Sequence, residues 1–219
     1  MKNGGLLAAV LLAGVAAVPA GVRTAAEQEA IKLEPPRMAG GMRLMEALKN
    51  RKTIRSLSDQ GITRLQLSEL LWAANGVNRK DGKRTSPAAM NKQEIGIYAV
   101  LPEGIYLYDA AGNVLVPVAA GDFRRDTGKQ DFVFTAPVNL VFVMDYGKFN
   151  GSDAKVDERA VRWACIAAGS MTQNVALYCA SEGLGNVVRG WVDEEAFMKA
   201  AKLGPDKVFL IAQTVGRPK

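Results

Sequence analysis

The sequence predicts an α+β layered fold, a sheet flanked by helices. Helical and strand patterns do not alternate strictly along the chain, as a doubly wound sheet would require. Three β-rich runs follow one another between residues 95 and 118. One long helical pattern, Asp157 to Glu182, stands apart from them and carries many small residues.

The elements justify that expectation in order. The first 26 residues read "MKNGGLLAAVLLAGVAAVPAGVRTAA". Lys2 supplies a short positive start, Leu6 to Val18 an apolar run, and Val18-Pro19-Ala20 a small-residue cleavage site. Residues 1–20 therefore read as a cleavable Sec-type signal and the chain as exported, to a periplasm. The alternative is an uncleaved anchor, since Lys2 and Arg23 enclose 20 uncharged residues, about one membrane span. After cleavage no stable membrane insertion is expected. Residues 21–41, with Pro35, Pro36, Gly40 and Gly41, read as a linker or extended arm.

Met42 to Asn50 is a short helix, with Met42, Met45 and Leu48 along one face. Thr63-Arg64-Leu65-Gln66 fits a capping box, with Leu67, Leu70, Leu71 and Ala74 at helical spacing behind it and Asn75-Gly76 as its stop. Strands follow at 95–100, 104–109 and 113–118, the first two joined as a hairpin. "APVNLVFVMDY" reads as a buried strand. On the long helix, Val161, Ala164, Ala168, Met171, Val175 and Tyr178 share one face, and Gly183 is its cap. "NVVRGWV", an Asp193-capped helix and "KVFLIAQTVG" complete the chain.

Composition bounds the chemistry. The 219 residues suit one domain or two small ones, and 48% of them are apolar. The formal charge of +6 is scattered among acidic residues, with no aromatic-interleaved basic stripe, so no nucleic-acid partner is expected. There is no histidine, which excludes His triads, His-containing zinc sites and any His base. No metal site is expected. Cys165 and Cys179 lie 14 residues apart in one helix, roughly 21 Å, too far for a disulfide within a subunit.

Nucleotide fingerprints are absent, and "EGLGN" reads as a helix cap followed by a tight turn. Three segments remain. In "NRKTIR", an extended chain would put Arg51, Thr53 and Arg55 on one face and Ile54 on the other. Arg51 and Arg55 would then stand about 13 Å apart, a span for a ligand with an anionic tail and an electron-accepting ring. In "SPAAMNKQ", Pro87, Ala88 and Ala89 leave backbone open to a flat ligand, and Asn91 and Gln93 supply polar groups. "VGRPK" delivers Arg217 at the end of a strand. Each segment alone is equally an ordinary solvated turn, loop or frayed end.

Their order resembles that of the nitroreductase family of flavin-dependent oxidoreductases. "NRKTIRSLS" is similar to its Arg-x-Ser-x-Arg opening and "SPAAMNKQ" to its Pro-Ser-x-x-Asn-x-Gln loop. "GIYLYD" and "APVNLVFVMD" resemble the branch that includes azoline-oxidising, SagB-like dehydrogenases. The likeness runs from about Met42 to Pro218, so residues 42–219 read as the FMN-binding domain. It implies a sandwich with a mixed or antiparallel central sheet, forming a homodimer with FMN at the interface. By the same resemblance Arg51 and Thr53 contact the flavin phosphate, with Lys52 beside them, and Arg55 sits near the N1/O2 edge of the ring. Pro87, Ala88, Ala89, Met90 and Asn91 line the ring from the partner subunit, Arg189 and Gly190 match a strand-end approach, and Arg217 is the second phosphate cation. Ala88 stands where members often have Ser, and the family's C-terminal arm is not seen after Pro218, which leaves residues 21–41 as a substitute.

The implied function is an exported FMN-dependent oxidoreductase acting on an unidentified small molecule. A flavin-binding module without turnover is the alternative. No catalytic side chain is nominated. The electron donor is open, with NAD(P)H expected only for a cytoplasmic protein.

Overall fold

The computed structural model describes residues 28–150 and 156–219, and its centre is a seven-stranded sheet. The strands are β1 (Ile31–Lys32), β2 (Ile95–Leu101), β3 (Gly104–Asp109), β4 (Val114–Ala120), β5 (Val138–Asp145), β6 (Gly185–Arg189) and β7 (Lys207–Gly216). Their order is β1-β4-β3-β2-β5-β7-β6, with every neighbour antiparallel. The expected 1–20 signal and residues 21–27 of the arm lie outside the described residues. Among those described, no helix is long and apolar enough to cross a membrane.

The expected hairpin is present. β2 and β3 pair from Tyr98↔Leu107 to Leu101↔Gly104, around a two-residue connection. β5 is buried along nearly its whole length, which explains its unbroken apolar run: it has strands on both sides and side chains packed on both faces.

The helices are α1 (Leu44–Asn50), α2 (Arg64–Asn75), α3 (Asp131–Thr135), α4 (Tyr146–Asn150), α5 (Glu158–Ser181) and α6 (Glu194–Ala200). α2 begins with the reciprocal capping box: Thr63 Oγ1 accepts from the Gln66 amide, and Gln66 Oε1 from the Thr63 amide. Asp157 caps α5, and Gly183 follows it at φ +68°, where a side chain would be strained. α2 and α5 cover one face of the sheet, where Leu70, Leu71, Met171 and Val175 meet Ile97, Leu140 and Phe142. On the other face Phe197 of α6 packs against Tyr98 and Phe209.

Two expectations change. Residues 28–41 are not a free linker. Ile31 and Lys32 pair with Leu115 and Val114, Leu33 enters the main core, and Arg37 is clamped by Glu69. The described part of the arm thus packs on its own chain and adds an edge strand. α1 also differs: its apolar stripe is turned outward, with Leu44, Met45 and Leu48 exposed and only Ala47 buried. A seven-residue helix that seats on its neighbour through one alanine leaves its larger side chains without a core to enter.

Candidate functional site

α1 ends at Arg51, whose amide donates to Ala47 O while its own ψ of 120° sends the chain into an extended run. That run lies along the corner where the sheet's edge strand begins and β7 ends. The Ile54 amide donates to Asn186 O, the Ser58 amide to Arg217 O, and Leu57 bridges Pro218. Ile54 faces inward, against Gly185: a Cβ built there would stand 3.1 Å from Ile54 Cγ2 and 2.6 Å from Leu57 Cδ2. Lys52, Thr53 and Arg55 are exposed and Arg51 is half-buried. Among the described residues none of Arg51, Lys52 and Arg55 has a carboxylate within ion-pair reach. Positive charge without a partner, held on a backbone pinned at both ends, is a fixed anion-binding edge.

Arg217 joins this corner through the pairing of its carbonyl with Ser58. Its guanidinium donates to Gly61 O at 3.2 Å and Gln66 Oε1 at 3.4 Å, long contacts to neutral groups, so among the described residues its charge too is uncompensated.

The second segment is a strained loop. Ala89–Asn91 forms a single 3-10 turn, and Met90, Asn91 and Gln93 all have positive φ (51°, 56° and 50°). Three side-chain-bearing residues in that region within four positions is backbone strain that its surroundings must hold. Arg84 Nε donates to Gln93 Oε1, while Gln93 Nε2 donates to Gly82 O and Asn91 Oδ1. Ser86 Oγ donates to Ala74 O and accepts from Asn174 Nδ2 of α5. These bonds fix the loop's base while Pro87, Met90 and Asn91 remain exposed and Ala88 and Ala89 half-buried.

Arg189 is corrected. It is 5% exposed and points into the fold. Nε donates to Thr214 Oγ1 at 2.7 Å, Nη1 to Thr127 O, and Nη2 to Asn139 Oδ1 at 2.9 Å and Thr127 Oγ1 at 3.2 Å. All these partners are neutral, and burial pulls the guanidinium down to about 10. With four of its five N–H groups spent on the 124–128 segment, β5 and β7, this buried side chain ties the fold together. Gly190 is exposed with open space around it and directly follows β6, whose other end meets the Arg51–Arg55 run at Asn186. The glycine against which that run packs is Gly185, inside the "EGLGN" turn, where a side chain would push Ile54 and Leu57 away.

Reasoning from sequence also missed a charged clamp. Glu69 on α2 is nearly buried and accepts from Arg37 Nε (2.5 Å), Nη2 (2.9 Å) and backbone N (3.1 Å), and from Tyr178 Oη (2.9 Å). Hydrogen bonding from Arg37 holds this carboxyl down at about 2. Burial pushes the Tyr178 hydroxyl well above its ordinary value, so it stays a donor. Glu94, one residue before β2, is fully buried, and neither of its carboxylate oxygens has a hydrogen-bond partner among the described residues. Both cysteines are free thiols, Cys165 exposed and Cys179 buried.

The family model of the Nitroreductase family matches residues 48–217, and the chain belongs to that family. Its members are FMN-dependent oxidoreductases. A solved "putative nitroreductase" from Ralstonia eutropha JMP134 is 40% identical, with a TM-score of 0.81, over 88% of this chain and 90% of that one. A nitroreductase homologue from Methanocaldococcus jannaschii is 27% identical over 159 residues, 68% of this chain and 79% of the relative. A family structure from Desulfovibrio desulfuricans, in complex with FMN, shares the fold at 19% identity, with a TM-score of 0.58, over 82% of this chain and 88% of that one.

Proposed function

We propose that this chain is an exported FMN-dependent oxidoreductase, acting as a homodimer on a small molecule. The observation that carries the cofactor assignment is the pinned run Arg51–Arg55, with its uncompensated cations set beside Arg217 and against Gly185. The residues present fit FMN. Arg51, Thr53 and Arg217 would hold its phosphate, with Lys52 alongside, and Arg55 would face the ring edge where charge collects on reduction. The exposed backbone of Pro87 to Asn91 would line the ring from the partner subunit. When bound, FMN supplies hydride transfer at its N5, and the protein supplies binding, orientation and positive charge.

The dimer is supported by apolar surface without a partner in one chain. Leu44, Met45 and Leu48 of α1 and Ile166 of α5 are each at least 43% exposed, on helices that touch. Export rests on the sequence of residues 1–20 alone, and the electron donor is unassigned. Purified protein loaded with FMN tests the function. Reduction by NAD(P)H or dithionite, followed by repeated reoxidation with an acceptor, supports the enzyme. A bound flavin that never turns over leaves a flavin-binding module and contradicts the oxidoreductase. Sedimentation as a monomer at working concentration contradicts the shared site.

A further inference from the structure

β2 is paired unevenly. It runs alongside β5 from Ile95↔Met144 onward, but its pairing with β3 begins only at Tyr98↔Leu107. Residues 95–97 therefore have no ladder partner on the β3 side, and the two strands part to leave a cleft of about 270 Å³. Gly96 lies at the parting: a Cβ there would stand 3.2 Å from Leu107 Cδ1 and 3.3 Å from the Tyr98 ring.

The lining has two characters. Ile95 and Ile97, on the face that carries the main core, give an apolar lining, and Leu107 borders the cleft from the opposite face. Arg84 and Lys148 bring positive charge, and neither has a carboxylate within ion-pair reach among the described residues. Arg84 spends Nε on Gln93 and Nη1 on Asn75 O, which fixes its plane and leaves Nη2 without a partner among the described residues. Asn75 is 6% exposed, lines the same cleft, and makes no side-chain hydrogen bond among the described residues. The one carboxylate among the described lining residues, Asp109, accepts from the Ala111 and Gly112 amides of the β3–β4 turn. Tyr108, pushed up to about 12 by burial, is a neutral hydroxyl there. An oriented guanidinium, a second cation and an amide with no hydrogen-bond partner among the described residues, set against an apolar lining, describe the complement of a short carboxylic acid.

We propose that the cleft between β2 and β3 binds a small organic acid, its carboxylate on Arg84 with Lys148 and Asn75 beside it, and its short apolar body against Ile95 and Ile97. The cleft adjoins the base of the Pro87–Asn91 loop through Arg84 and Gln93, but it uses none of the Arg51–Arg55 cations and does not depend on the flavin assignment.

Titration of the full chain, incubated with FMN, with butyrate tests it by calorimetry and ligand-observed NMR. Saturable binding is expected, weakened about tenfold or more in Arg84→Gln, as loss of a charge-assisted contact requires. It should weaken also in Lys148→Gln, whose exposed side chain holds nothing in the fold, and stay unchanged in Arg51→Ala. The neutral isostere butyramide should bind far more weakly, and Gly96→Ala should narrow the cleft and reduce butyrate affinity. No saturable butyrate binding to the wild-type chain overturns the proposal. So does butyrate affinity that Lys148→Gln and Gly96→Ala leave intact while Arg51→Ala abolishes it, which moves the anion to the flavin cradle. Inorganic phosphate competing at equal affinity overturns the organic body. A chain that takes up no FMN but binds butyrate in this pattern separates failure of the cofactor reading from failure of this one.

Discussion

Replacing Glu69 by Gln isolates the charge of the clamp that holds the N-terminal arm. Its carboxyl lies at about 2, against an ordinary value of 4.5. At about 1.36 kcal/mol per pKa unit, that difference is worth roughly 3 kcal/mol of stability at pH 7. Arg37 is more than half open to solvent, so screening trims the figure toward about 2 kcal/mol. The sign follows from the direction. The folded value is depressed, so the stabilisation is complete above about pH 4.5 and is lost as pH falls toward 2. Urea unfolding of wild type and Glu69→Gln should therefore differ by about 2–3 kcal/mol at pH 7 and by about half as much at pH 3. Arg37→Ala should remove most of the same energy, and the double variant should cost little more than either single one. A Glu69→Gln penalty that is the same at pH 3 and pH 7, or additive with Arg37→Ala, would refute the clamp as a charge effect.

Arg189→Met should destabilise the chain by about 3 kcal/mol, since Thr127 O loses a buried charged donor, while FMN affinity of the folded protein stays near wild type; thermal melts and flavin titration read the two effects separately. Gly185→Ala should cost about 1–3 kcal/mol and also weaken FMN, because the new methyl group displaces Ile54 and with it the cationic run; unaltered flavin affinity would detach Gly185 from the site. Glu94→Gln should leave stability unchanged or raise Tm at pH 7, since it removes a buried carboxylate with no partner among the described residues, and a large loss in Tm would reveal a partner for it.

Much of the frame was legible because it is local. The Thr63–Gln66 capping box, the β2–β3 hairpin, the Asp157 cap and the Gly183 cap each rest on residues a few positions apart. What escaped is set by distant partners. Arg189 draws on Thr127, Asn139 and Thr214, between 25 and 62 positions away, so an arginine in a strand read as a ligand contact when it is a buried tie. Glu69 meets Arg37 32 positions before it and Tyr178 109 after it, and no periodicity encodes that meeting. β1 is two residues long, too short for any pattern. Periodicity found the apolar stripe of α1 but not its direction, because a stripe facing a core and one facing outward look alike in sequence. At the site, the alternation of "NRKTIR" placed Ile54 inward, whereas its contact with Gly185 was not legible, because it depends on which strand end the run reaches.

Flavin content of the purified full chain is the most direct measurement of what the Arg51–Arg55 run is for. After incubation with FMN and removal of the excess, a yellow protein with stoichiometric FMN is expected, with affinity falling by about 1.5–3 kcal/mol in each of Arg51→Ala and Arg217→Ala. A folded chain that stays colourless, or one whose FMN affinity is indifferent to both substitutions, would contradict it.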